Sequence, residues 1–253
     1  MTVRQLYTVL SARMPESDRE EWDNDGVMCA PDLDREVRHA VVALDVTEEI
    51  ADYALEVGAD LIVSHHPLIF HPVRSLTEDD PTARKLMKLS AGGVAVFSFH
   101  TRADKAAGGV NDLLADALDL ADVEPFGEGG LGRIGNFEED MSLEEFAFTV
   151  KEQLGSPRVI LSDGYKRVRR VAVVGGDGKS YIAAAAAAGA DTFLSGRIGY
   201  NVMEEAAERD INLVEAGHFY TENRVTEFFS ALLSAAVPDM EVEIQNSNNL
   251  KLF

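Results

Sequence analysis

Val57-Gly58-Ala59-Asp60-Leu61-Ile62-Val63-Ser64 returns later in the chain, at a constant offset, as Ala188-Gly189-Ala190-Asp191-Thr192-Phe193-Leu194-Ser195. In both copies a short apolar run after Gly-Ala-Asp reads as a strand buried on both faces. Upstream, the strands expected over 41–44 and 172–175 fall in the same register. Downstream, a strand over 211–214 answers one over 94–97, and a helix over 221–233 answers one over 108–118. A chance Gly-Ala-Asp match is cheap, but the same elements in the same order are not. The chain therefore reads as α/β, with two duplicated halves facing each other. The halves are placed at 1–126 and 127–253, with the boundary set approximately by the glycine-rich break 127–132.

Local signals fill in the rest. Leu6, Val9, Leu10 and Met14 share one face of a helix expected over 3–14. Thr47 is placed to cap a helix over 47–57, and a further helix is expected over 81–90. After a strand over 134–137, Ser142-Leu143-Glu144-Glu145 is a capping box that opens another helix.

Composition narrows the class. In 253 residues there are 23 basic against 44 acidic side chains, a net charge of −21, and 16 of the basic residues are arginine. Such an acidic, lysine-poor, alanine-rich chain is expected of a halophile, since at molar salt the Debye length falls to ~3 Å and self-repulsion is screened. An ordinary acidic protein is the alternative. General nucleic-acid binding is not expected, because the basic cluster Lys166-Arg167-Val168-Arg169-Arg170 leads into a strand rather than forming a stripe. The start of the chain lacks an apolar signal core, and the run from Ile182 to Ala190 is too short and too weakly apolar to span a bilayer, so a cytoplasmic location is expected. The single cysteine, Cys29, excludes an internal disulfide and a thiolate metal cluster and reads as core.

The chemistry lies where the two copies differ. Ser64 is followed by His65-His66, but Ser195 by Gly196-Arg197. After the next strand the first copy carries His100-Thr101-Arg102-Ala103-Asp104, and the second Gly217-His218-Phe219-Tyr220-Thr221-Glu222. All these donors fall just beyond the carboxyl ends of strands, where open α/β sheets place their sites. Adjacent residues at a strand end diverge, so His65 and His66 can serve two neighbouring ions, or can be ordinary hydrogen-bonded histidines. His218 and Glu222 stand four apart, on one face of a helix, as a metal grip or a plain surface pair. Asp104 alone is a common loop residue. Taken together, the five point to metal.

Ser-His-His-Pro-Leu-Ile-Phe (64–70), His-Thr-x-x-Asp (100–104), Gly-Gly-Val-Asn-Asp (108–112) and Gly-His-x-x-Thr-Glu (217–222) resemble the motifs of the type-two GTP cyclohydrolase I homologue family, and Trp22-Asp23-Asn24-Asp25-Gly26 resembles its opening motif. The resemblance covers nearly the whole chain and is to the short form, without an inserted domain. It implies a dinuclear metal centre, with His65 and His218 on one ion, His66 and Asp104 on the other, and Glu222 bridging. It also implies a toroidal homohexamer, a trimer of dimers. Two departures are noted: Arg102 stands where relatives often have a small or apolar residue, and Gly175-Gly176-Asp177-Gly178 is a loose match.

Imidazole and carboxylate donors suit two divalent ions such as Zn, Mn, Fe or Ni. Such a pair activates water and steadies attacking and leaving oxygens. The expectation is a metal-dependent hydrolase acting on a nucleotide-like or phosphorylated small molecule. His100 is its candidate proton shuttle, or else a buried histidine bonded to backbone; Tyr220 faces the cavity or caps a helix. The alternatives are a metal-dependent phosphoesterase and a non-enzymatic metal-binding regulatory or scaffold hexamer.

Overall fold

The computed structural model describes residues 1–251. In chain order the elements are α1 (Val3–Arg13), β1 (Gly26–Cys29), β2 (His39–Ala43), α2 (Glu48–Glu56), β3 (Leu61–Ser64), α3 (Pro81–Ala91), β4 (Ala95–Ser98) and α4 (Thr101–Lys105). There follow α5 (Val110–Ala117), β5 (Ala121–Phe126), β6 (Gly132–Met141), α6 (Leu143–Leu154), β7 (Ile160–Ser162), β8 (Val168–Asp177), α7 (Ile182–Ala187) and β9 (Thr192–Arg197). The chain closes with α8 (Tyr200–Met203), α9 (Ala206–Arg209), β10 (Asn212–Glu215), α10 (His218–Glu222), α11 (Val225–Ala236) and β11 (Glu241–Ile244).

These elements form two compact units, one from residues 1–103 with 225–250, the other from 104–224 with Lys251. The halves of the sequence repeat and the compact units are thus different divisions of the chain: the long helix that ends the first repeat, α5, lies in the second unit, and its counterpart α11 lies in the first.

The first unit holds a five-stranded sheet in the order β1-β4-β3-β2-β11. Its strands β4, β3, β2 and β11 are parallel and β1 is antiparallel to β4. Both faces of the central strands are covered, and Val41, Val42, Leu61, Ile62, Val63, Val96 and Phe97 are wholly buried, as a parallel sheet requires. The second unit holds a six-stranded sheet, β5-β6-β8-β9-β10-β7, parallel only through β8, β9 and β10.

The repeat has a physical basis. Gly58 and Gly189 take positive φ at the ends of α2 and α7, the conformation a side chain resists. Ala59 N–H then donates to Ala54 O, and Ala190 N–H to Ala185 O. Asp60 Oδ2 accepts from the backbone N–H of Arg38 and His39, where β2 begins. Asp191 Oδ2 accepts from Arg169 and Arg170 at the start of β8. Gly-Ala-Asp therefore stops a helix and aligns the following strand with its neighbour. The expected caps also form: Thr47 accepts from Ile50 N–H, and Ser142 with Glu145 makes the full capping box.

One expected element is divided. The helix expected over 221–233 is two helices, because α10 packs on β8 and β9 while α11 packs on β2, β11 and α1. In the basic cluster at 166–170, Lys166 pairs with Asp210, Arg167 with Asp140 and Arg170 with Glu124. Among the described residues, no helix is long and apolar enough to cross a membrane.

Candidate functional site

In the first unit, His65 and His66 follow β3 and His100 follows β4, so their side chains start from neighbouring strand ends. One ring nitrogen from each of the three lies within 4.8 Å of the others. Each Nδ1 meets an oxygen acceptor: His65 at Phe99 O (2.9 Å), His66 at Asp45 Oδ1 (2.7 Å) and His100 at Asp23 Oδ1 (2.8 Å). An acceptor there keeps the proton on Nδ1, which makes Nε2 the lone-pair nitrogen. This is the arrangement by which outer partners orient metal-binding histidines and raise their basicity. The His100 ring is therefore held through Nδ1 by a carboxylate. The turn carrying His65 and His66 is itself fixed, with Ser64 Oγ donating to His66 O and His66 N–H donating to Leu44 O.

Asp23 and Asp25 are the residues missed in the sequence. Asp23 Oδ2 accepts from both Thr101 N–H and Thr101 Oγ1. Burial pushes its carboxyl up, but the bond and charge of His100, with the two Thr101 donors, more than offset this and hold it at about 2. Asp25 pairs with Arg102 Nε at 2.9 Å, both side chains being essentially inaccessible. Burial raises the Asp25 carboxyl despite the guanidinium beside it. Arg102 also donates to Met14 O and Tyr7 Oη, so it anchors α4 to α1 and the residue that caps it. The spacing Asp-x-Asp at 23–25 within the opening motif was the available signal.

In the second unit, His218 and Glu222 lie on one face of α10, with His218 Nε2 at 2.9 Å from Glu222 Oε2. Glu222 is buried while the His218 ring is half exposed. A carboxylate oxygen of Asp104, also buried, lies within 4.8 Å of one on Glu222. Asn111, fully buried, explains the Gly-Gly-Val-Asn-Asp motif: its Nδ2 donates to Asp104 O and Leu131 O, and its Oδ1 accepts from Gly175 N–H. Tyr220 is half-buried on α10.

The loosely matching glycines prove to be demanded by packing. A Cβ on Gly176 would lie 2.2 Å from Glu222 Oε1 and 3.1 Å from His218 Nε2, and one on Gly196 would lie 2.7 Å from His218 Cα. Backbone is brought against the donors where no side chain fits. Thr221 Oγ1 completes the arrangement by accepting from Gly176 N–H. In each unit, then, the expected donors gather beyond the carboxyl ends of parallel strands: two imidazoles in the first, with the candidate proton shuttle His100 beside them, and two carboxylates and an imidazole in the second.

The sequence model of the Duf34/NIF3 (NGG1p interacting factor 3) family matches residues 1–251. Proteins described as GTP cyclohydrolase 1 type 2 homolog are similar throughout. The one from Clostridium perfringens is 30% identical over 229 residues, covering 88% of this chain and 87% of its own. That from Methanocaldococcus jannaschii is 30% identical over 248 residues, covering 96% and 98%. Among solved structures, reduced HcgD from Methanocaldococcus jannaschii is 30% identical with a TM-score of 0.85, over 96% of this chain and 97% of that one. A Bacillus cereus protein related to NIF3 shares the fold at 23% identity, with a TM-score of 0.89 over 100% and 99%. With residues 1–251 matched and its motifs in order, this chain belongs to the Duf34/NIF3 family.

Proposed function

We propose that the two donor sets hold a pair of divalent ions, and that the centre hydrolyses a nucleotide-like or phosphorylated small molecule. The observation that carries this reading is the pinning of all three imidazoles through Nδ1. Tethered in the same sense, His65 and His66 offer Nε2 to the ions and His100 offers Nε2 to a proton, an arrangement that chance packing does not need. The carboxylates fit the same group: Asp104 and Glu222 are buried within 4.8 Å of each other, a repulsion that nearby positive charge relieves. His65 and His218 would take one ion, His66 and Asp104 the other, and Glu222 would bridge. Oxygen and nitrogen donors without sulfur favour Zn, Mn, Fe or Ni.

Two such ions would supply Lewis acidity and a nucleophile drawn from water at neutral pH. The chain's own contribution is orientation and proton handling. Asp23 fixes the His100 ring and keeps its proton on Nδ1, so Nε2 is the atom that accepts or returns a proton. The name GTP cyclohydrolase 1 type 2 homolog, carried by the relatives, supports a purine nucleotide as the first substrate to try.

The test measures formate release from GTP and phosphate release from phosphoesters, with metal-loaded and chelated protein. The hydrolase reading requires metal-dependent turnover that a folded Glu222→Gln variant loses. Metal-loaded protein silent in both assays would leave a metal-binding scaffold. Metal content is the second readout. His65→Ala and His218→Ala are each expected to lose one ion preferentially and Glu222→Ala to weaken both; equal metal counts in the three variants would remove the bridge.

We further infer a cytoplasmic toroidal homohexamer, supported by the family motifs, with a light-scattering mass near six times 27.6 kDa. The acidic surplus supports salt adaptation, so unfolding midpoints should rise with potassium chloride as the ~10 Å Debye length at 0.1 M shortens. A midpoint that does not change with salt would end that reading.

A further inference from the structure

Trp22 is 63% exposed and Phe70 44% exposed, and their ring centroids lie 6.3 Å apart. Elsewhere the chain buries Phe97, Phe99, Phe146, Phe193 and Phe229 almost completely. Single exposed aromatics are ordinary: Phe148, Tyr165 and Tyr200 are exposed too, but none touches another ring among the described residues. A contiguous pair left to water is different, and marks a surface that something covers.

Both rings meet His100, Trp22 at 5.9 Å and Phe70 at 6.2 Å between centroids. The His100 ring also packs on His65 at 5.1 Å and on His66 at 5.7 Å. One imidazole is therefore in ring contact with both the exposed pair and the histidine donors. The pair is also preorganised. Trp22 precedes the buried, four-times hydrogen-bonded region of Asp23 and Thr101. Asn24 Nδ2 donates to Ile69 O at 2.5 Å, tying the Trp22 segment to the residue before Phe70. Rings already fixed lose little freedom when a ligand stacks on them. Beyond Phe70, an open groove of about 550 Å³, lined also by His71, gives room for the rest of a molecule.

We propose that Trp22 and Phe70, backed by His100, form a stacking shelf that receives a planar heteroaromatic ring of the ligand handled at the histidine cluster. The inference rests on the reading of that cluster as a metal centre, and it narrows the ligand class: an aromatic ring is needed, and a bare sugar phosphate does not suffice. Every common heteroaromatic ring has a π-face, so the shelf selects for a ring without choosing among bases.

Trp22 is the only tryptophan in the chain, so its emission reports the shelf alone. The full-length protein as purified, its metal content measured in the same sample, is titrated with GMP, AMP and riboflavin 5′-phosphate, and with ribose 5-phosphate as the ring-free control. The expected result is saturable quenching by ring-bearing ligands only, with Phe70→Ala raising the half-saturation concentration roughly tenfold or more while metal content and circular dichroism stay as they were. For Trp22→Phe, which is silent in emission, equilibrium dialysis is expected to show the same ligand still bound. The proposal is overturned if all three rings leave the emission unchanged, if ribose 5-phosphate quenches equally, or if Phe70→Ala binds as well as the parent. It is also overturned if the emission changes only with protein concentration, which would give the shelf to a second copy of the chain. No turnover is involved, so protein that binds rings but takes up no metal would sink the metal reading and spare the shelf. Metal-loaded protein indifferent to rings would do the reverse.

Discussion

In the first sheet Asp60, and in the second Asp191, accept from two successive backbone N–H groups where the neighbouring parallel strand begins. Past the strand ends, the same two blocks diverge. Ser64 Oγ holds the carbonyl of His66, while Ser195 Oγ holds the carbonyl of Gly176. One copy thus spends its strand-end serine on a histidine turn and the other on a glycine cradle for α10. Duplication has kept the parts that set strand register and freed the parts beyond the strand ends, where a change of side chain does not disturb the ladder. Chemistry has diverged where the backbone is least constrained.

The largest difference between the copies should appear at the short helices α4 and α10. Where α4 carries Arg102, wholly buried against Asp25, the corresponding place on α10 is the half-buried Phe219. Asp25→Ala leaves a buried guanidinium without its carboxylate and should cost about 3–5 kcal/mol. Phe219→Ala should cost about 1 kcal/mol. Urea midpoints decide it, and equal losses would mean that the two helices are anchored alike. An Asp25→Leu, Arg102→Met double variant should recover most of the loss, because removing both charges removes the uncompensated one.

A smaller contrast tests the shared frame. Asp191→Ala removes an acceptor from two N–H groups and from the Thr192 hydroxyl, a loss of about 2 kcal/mol. Asp60→Ala should cost about 1 kcal/mol more, since Asp60 Oδ1 also takes Arg35 Nε and Nη2 at 2.9 and 2.6 Å. If Asp191 proved the costlier position, the common role assigned to the two aspartates would fail.

What could be seen in the sequence follows the same division. Gly-Ala-Asp was legible because it is repeated, and His65, His66, His218 and Glu222 because donor side chains after strand ends stand out in type and spacing. The outer partners were not. Asp23 reaches His100 across 77 positions and Asp45 reaches His66 across 21, separations that no local pattern encodes. The edge strands β1, β7 and β11 were equally hidden, being three or four residues long and defined by their partners rather than by a period. Nor could spacing show that α10 and α11 are separate, because the break is set by the two sheets they serve.

The finest contrast lies between two glycines of equal strain and unequal surroundings. Gly58 (φ 69°) and Gly176 (φ 65°) both hold a left-handed backbone. A Cβ on Gly58 would meet nothing within 4 Å, whereas on Gly176 it would strike Glu222 Oε1. Alanine at either position should cost about 1 kcal/mol of stability from the backbone alone. Only Gly176→Ala should also displace the Glu222 carboxylate, the group proposed to bridge. Calorimetric titration with zinc is therefore expected to show affinity weakened at least tenfold in Gly176→Ala and unchanged in Gly58→Ala, with nearly the same fall in melting temperature for both. If zinc binds Gly176→Ala as tightly as it binds the parent, the cradle has another purpose, and Glu222 cannot be the residue on which the two ions depend.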